Sequence, residues 1–211
     1  MQPIFETFGL VILALFGIFA AISARVFKRK LHLLLIITIV PAVAVSLYFS
    51  VTYFGPSIWI RYELKNLQTT FSKDGICIQT TGFTCGPAAA VTVLRQLGID
   101  AQESELAVSS KCNIKNGTTY EHLTSAIKKL YGKKGIDCSI RNFDSIDQLK
   151  DIYPIIAVIK LSSAVDHYTA VLEVTEDKVI VGDPIAGKKE WTYEDFSKKW
   201  RSVGIVLKIK N

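Results

Sequence analysis

The sequence predicts an α+β domain preceded by two membrane-spanning helices, and three observations predict it. Two long stretches near the start, residues 7–24 and 31–60, contain no Asp, Glu, Lys or Arg. Between residues 85 and 131 the patterning and the stop signals are those of helices, whereas from residue 136 onward β-branched and alternating segments dominate. Helices first and an antiparallel sheet afterwards is the order of an α+β domain.

The apolar stretches come first in the chain. Each is long enough to cross a bilayer core, which takes about 20 apolar residues, and they are separated by the basic cluster Arg25, Lys28, Arg29 and Lys30. A cleaved signal peptide would carry its basic residues ahead of the first apolar run, but residues 1–8 offer only Glu6. The expectation is a two-helix transmembrane hairpin over residues 1–60, with a short basic turn. Tyr48, Tyr53 and Trp59 suit an interfacial aromatic belt, and Pro41 suits a kink. Loops beside membrane spans are enriched in Lys and Arg on the cytoplasmic side. The turn therefore points inward, and everything after residue 60 falls outside the cytoplasm. Arg61, Lys65 and Lys73 argue the other way, more sparsely. The expected location is a bacterial inner membrane, multi-pass, with the globular part in the periplasm.

The net charge of +6 divides evenly, +3 from residues 1–54 and +3 from the remainder. Half the excess belongs to the membrane turn, and the globular part is only mildly basic. Lys128, Lys129, Lys133 and Lys134 read as a solvated helix end. The lipid bilayer is an expected partner and nucleic acid is not.

Residues 61–74 read as a juxtamembrane connector, helical through 61–67, and residues 75–211 as one domain of ordinary size. Pro87 suits a first helical turn, residues 88–97 are mostly good helix formers, and Gly98 is a natural stop. A short helix is expected over 104–110. Thr118-Thr119-Tyr120-Glu121 is a capping-box pattern opening a helix to Tyr131, stopped by Gly132, and residues 145–152 suggest one more. Strands are expected at 136–141 and 155–161, then a hairpin of 167–174 with 178–182. A short helix follows within 191–201, capped by Thr192, and a last strand runs over 203–209.

The chemistry centres on Cys85. At a helix N-terminus, unpaired amide N–H groups and the positive end of the helix dipole favour an anionic sulfur, the form a thiol nucleophile needs. Gln79, six residues earlier, carries an amide able to donate to an oxyanion beside that sulfur. His167 stands before the first strand of the hairpin and Asp183 after the second, so the turn brings both back to one edge of the sheet. A histidine near Cys85 can share its proton, and a carboxylate on the other ring nitrogen favours imidazolium. Taken singly, each residue has a plain account: a small buried cysteine, a half-buried strand histidine, a turn carboxylate beside Pro184. His32 lies in an apolar run and His122 in a helix's first turn, so neither competes. Of Cys77, Cys112 and Cys138, two can pair on an oxidising side, and spacing does not choose which. There is no C-x-x-C or His-rich spacing, so no metal or cofactor is expected.

Gln79, the run Cys85-Gly86-Pro87-Ala88-Ala89, Asp166-His167-Tyr168, and Gly182-Asp183-Pro184 with Gly187 together resemble the peptidase C39 family, the papain-like double-glycine leader peptidases. The resemblance covers about residues 75–209. It implies a papain-like fold in which a helical part carries the cysteine and a sheet carries the histidine. It further implies a cysteine peptidase with Cys85 as nucleophile, His167 as general base, Asp183 orienting it and Gln79 in the oxyanion hole. Cleavage after small residues, often a Gly-Gly pair of a peptide or protein substrate, follows from the same resemblance. Tyr168 and Trp191 are candidate pocket walls. Two features depart from the pattern: Thr84 stands where many members carry an acidic residue, and no Walker-type loop for ATP is present. A separately encoded transporter or secretion system is then the partner to consider. Two other classes stay open: a catalytically silent peptide-binding module, and another papain-like acyl-transfer enzyme such as a cell-wall amidase or transpeptidase.

Overall fold

In the computed structural model, which describes residues 13–22, 30–162 and 165–210, both uncharged runs are helical where they are described. The first contributes α1, Leu13–Ile22, which at about 1.5 Å per residue does not by itself cross a bilayer core. The rest of the expected span and residues 25–29 of the basic turn lie outside the described residues. The second run folds as α2, Lys30–Lys65, unbroken through Pro41. Its Ile36–Lys65 portion is long and apolar enough to cross a membrane. Among the described residues one such helix is present, where two were expected. Tyr48, Tyr53 and Trp59 are exposed on it.

The chain divides into two compact units, Met1–Ile60 and Arg61–Asn211. In the second, Leu64 is buried, and β1 (Thr70–Phe71) pairs with β2 (Cys77–Ile78), which also brings residues before Gly75 into paired structure. Three helices follow, α3 (Cys85–Gln96), α4 (Glu103–Ser109) and α5 (Tyr120–Tyr131). Next come β3 (Ile136–Asn142), β4 (Ile155–Lys160), β5 (Asp166–Val174), β6 (Lys178–Asp183) and β7 (Gly187–Thr192), then α6 (Tyr193–Lys199) and β8 (Trp200–Ile209). The strands form one six-stranded sheet, order β3-β8-β4-β5-β6-β7, antiparallel throughout. This is the α+β, antiparallel-sheet architecture the sequence predicts.

The apolar run Ile155–Ile159 shows why the sheet sits at the centre. Alternate residues of a strand face opposite sides. Ile156 and Val158 join a core with α3 and α5, while Ile155, Ala157 and Ile159 join a second core with Phe143, Leu149, Phe196 and Trp200. Burying each of these Ile and Val side chains stabilises the fold by about 1.5–3 kcal/mol, so β4 anchors both layers. The α3 side is the one that carries Cys85.

Several element boundaries differ from expectation. Thr119, not Thr118, caps α5 by accepting from the His122 N–H, and Thr118 is buried with its hydroxyl donating to Ser110 O at 2.8 Å. Residues 146–149 make only a 3-10 turn. Asp183 is the last residue of β6 rather than beyond its end, and β5 begins at Asp166, one residue ahead of His167. The strand β7 was not expected; its lysines and alternating exposure mark an edge strand, whose outer face water covers.

Candidate active site

Cys85 is the first residue of α3, and Thr84 precedes it as the capping residue, its carbonyl accepting from Ala88 N–H at 3.0 Å. Pro87, third in the helix, loses nothing by lacking an N–H, since first-turn donors have no intrahelical acceptor. Gly86 is required by contact: a Cβ there would stand 2.7 Å from Thr118 Cγ2 and 3.3 Å from Tyr168 Cδ2. This packing seats the head of α3 against β5, the strand that carries His167.

The loop before Cys85 is stapled to itself. The Thr84 hydroxyl, fully buried, accepts from the Thr81 N–H at 3.2 Å and lies 3.3 Å from Thr81 O, where it can donate. Thr84 therefore does local structural work at the position where an acidic residue was the familiar choice. Gln79 is held by its main chain, whose N–H donates to Pro184 O at 2.9 Å, next to Asp183. Its side-chain Nε2 donates to Thr81 O at 2.8 Å, leaving one N–H of that amide uncommitted. Its Oε1 is buried with no protein partner among the described residues.

Across β5 and β6, His167 Nε2 and Asp183 Oδ1 lie 2.9 Å apart, with His167 only 3% exposed. That contact leaves Nδ1 free to face its other neighbour, Cys85, which interacts with the ring. Burial pulls the imidazole toward the neutral form, but the hydrogen bonds to Asp183 and Cys85 and the charges of both outweigh it. The His167 pKa is raised to about 9. Asp183 shows the complementary balance. Burial opposes its ionisation, yet the bond to His167, the Ile185 N–H at 2.9 Å and the more distant Lys189 ammonium at 3.8 Å hold it below the usual carboxylate range. Lys189 lies on β7, so missing that strand in the sequence also hid this cation.

The structure thus brings Cys85, His167 and Asp183 together and ties the Gln79 loop to the same corner. Cys85 opens into a groove of about 530 Å³ whose lining includes Gly82, Phe83, Thr118, Tyr120, Tyr168 and Arg201. Tyr168 is a wall, as expected, and its hydroxyl donates to Thr118 O at 3.1 Å. Trp191 is not: it packs on Phe196 in the second core. All four cysteines are free, so no disulfide forms, and among the described residues no His, Cys, Asp and Glu group is arranged to hold a metal. Burial pushes the thiols of Cys77 and Cys112 up to about 12 and that of Cys138 up to about 11. An imidazole bonded to a carboxylate and next to a thiol at a helix N-terminus is an arrangement suited to acyl transfer through sulfur.

Residues 73–211 match the model of the peptidase C39 family. The chain belongs to this family. The lactococcin-G-processing and transport ATP-binding protein LagD of Lactococcus lactis subsp. lactis is 30% identical over 128 residues, which cover 60% of this chain and 18% of that protein. The Probable functional amyloid protease FapD of Pseudomonas fluorescens is 25% identical over 136 residues, covering 62% of this chain and 58% of that one. Among solved structures, the peptidase domain of Streptococcus ComA, a bi-functional ABC transporter involved in a quorum sensing pathway, superposes with a TM-score of 0.56 at 27% identity. That match covers 64% of this chain and 96% of that domain. The C39 peptidase fold therefore accounts for the second compact unit.

Proposed function

We propose that this chain is a membrane-anchored cysteine peptidase whose nucleophile is Cys85. The observation that carries the reading is the buried His167, bonded to Asp183 at 2.9 Å and interacting with Cys85. In this mechanism the Cys85 proton resides on His167, and the sulfur attacks a peptide carbonyl carbon. The uncommitted Gln79 N–H and the Cys85 backbone N–H hold the oxyanion. The C–N bond breaks as His167 returns the proton to the leaving amine, leaving a thioester. Water, deprotonated by His167, then attacks the thioester and releases the acid and the thiol. Asp183 keeps the ring oriented throughout.

Cleavage after small residues, a Gly-Gly pair above all, is supported by the close packing of Gly86, Thr118 and Tyr168 beside the sulfur. The apolar α2 supplies the anchor. By likeness to LagD and ComA, a transporter or secretion system is the partner class this reading implies. The basic cluster at residues 25–30 favours a periplasmic peptidase domain, which a phosphatase fusion after Asn211 tests directly.

The central experiment is hydrolysis of a peptide with a Gly-Gly leader by the full chain in lipid vesicles. The parent should cleave behind the pair, Cys85→Ala should not, and Gln79→Ala should lose on the order of 10²-fold in kcat. Equal cleavage by the parent and Cys85→Ala would refute the assignment.

A further inference from the structure

Glu103 is a carboxylate the mechanism above does not use, and it is completely buried. A buried carboxylate is seldom without a purpose, because burial without partners is costly. No cation lies within ion-pair distance of it among the described residues. Instead both of its oxygens are directed at one residue, Thr80: Oε1 accepts from the Thr80 N–H at 3.0 Å, and Oε2 lies 2.6 Å from the Thr80 hydroxyl. Thr80 follows Gln79 directly. The Glu103 N–H in turn donates to the Thr69 hydroxyl at 2.8 Å, and the Thr80 hydroxyl also lies 3.0 Å from Gln68 O. Through its carboxylate and its backbone N–H, Glu103 thus ties α4 to the loop before Cys85 and to the segment after α2.

We infer that Glu103 is a positioning residue for the oxyanion hole, fixing Thr80 so that the Gln79 amide points beside Cys85. The inference rests on the proposed role of Gln79. On its N-terminal side Gln79 is held by Pro184 O, and on its C-terminal side Thr80 is anchored by Glu103, which takes both its N–H and its hydroxyl, with Gln68 O 3.0 Å from the same hydroxyl. The Gln79 amide is aimed by donating to Thr81 O, the carbonyl immediately after Thr80. When Thr80 moves, that carbonyl moves, and the amide loses its aim. His167 does not depend on this anchor because β5 carries it, and the head of α3 is seated by the packing of Gly86 on Thr118 and Tyr168.

The test is a double-mutant cycle on the full chain in vesicles, with the Gly-Gly leader peptide as probe and kcat and KM measured separately. Glu103→Ala should lower kcat by on the order of 10²-fold with KM little changed, matching Gln79→Ala. The double variant should be no worse than Gln79→Ala alone, because both remove the same donor. Glu103→Gln, which keeps a carbonyl for the Thr80 N–H, should recover most of the rate. Losses that multiply in the double variant, or a Glu103→Ala rate within threefold of the parent, overturn the inference. Hydrogen exchange at the Thr80 and Thr81 amides decides the same point without turnover. It should accelerate in Glu103→Ala while amides of β5 stay protected; unchanged exchange at Thr80 overturns the inference even if the parent cleaves no peptide. A parent inactive on the leader, with faster exchange in the variant, would sink the peptidase reading and leave Glu103 as the anchor of the loop.

Discussion

Around Cys85 the chain is held by neutral hydrogen bonds and hard contact, whereas around His167 it is held by charge. Thr81, Thr84 and Gly86 fix the head of α3 through hydroxyls, amides and a glycine with no room for a methyl group. His167 and Asp183 fix each other as a buried pair, each shifted toward its ionised form by the other. On the proposed mechanism the helical side sets where the sulfur lies, and the sheet side sets where its proton goes. Changes of shape should therefore tell on the first, and changes of pH on the second.

Removing the base is the strongest way to break this division of labour. His167→Ala should lower kcat by roughly 10²–10⁴-fold in the leader-peptide assay. A loss under tenfold would show that the imidazole is not the proton carrier. On the helical side, Gly86→Ala forces a Cβ to 2.7 Å from Thr118, and such overpacking costs about 1–3 kcal/mol. For a domain of this size that is a drop of about 2–4 °C per kcal/mol, read by circular dichroism. An unchanged melting temperature would mean that Thr118 yields.

The sheet side should respond to pH instead. With the His167 pKa raised to about 9, activity of the parent should fall as pH rises through about 9, since the leaving amine then finds no proton. In Asp183→Asn the descending limb should move to lower pH, toward the ordinary 6.5 of histidine. A limb that stays put would detach Asp183 from the ring. The sign for stability follows the same pair. The raised His167 contributes fully below about 6.5 and loses its contribution as pH climbs through about 9. The lowered Asp183 contributes above the ordinary carboxylate value of 3.8 and loses its contribution as pH falls below that value. Urea denaturation of parent against Asp183→Asn should thus show a difference that shrinks between pH 6.5 and 9. The smallest effect expected is on the helical side: Thr84→Val loses the hydroxyl that staples Thr81, about 1 kcal/mol, detectable in the same titrations.

What the sequence made legible were the features written in local chemistry. Pro87 and Gly98 bracket α3, and the turn at residues 175–177 aligns the strands carrying His167 and Asp183, so the pairing of a distant histidine and aspartate was visible before any coordinates. What stayed hidden depends on packing between distant segments. Glu103 stands just ahead of the helix expected over 104–110, with nothing in its local sequence to single it out, and only the fold delivers Thr80 to it. The strand β7 is rich in lysine because one of its faces meets water, and that composition conceals a strand from pattern reading. The capping box failed by one residue because Thr118 had a stronger claim on it from the buried Ser110 carbonyl.

Three of the four thiols are buried and held in their protonated form up to pH values of about 11–12, while Cys85 alone is partly open to the groove. The native chain is consequently its own counter. A maleimide applied near neutral pH should add a single mass increment per molecule, and that increment reports the fraction of competent sites in a membrane preparation without replacing any other cysteine.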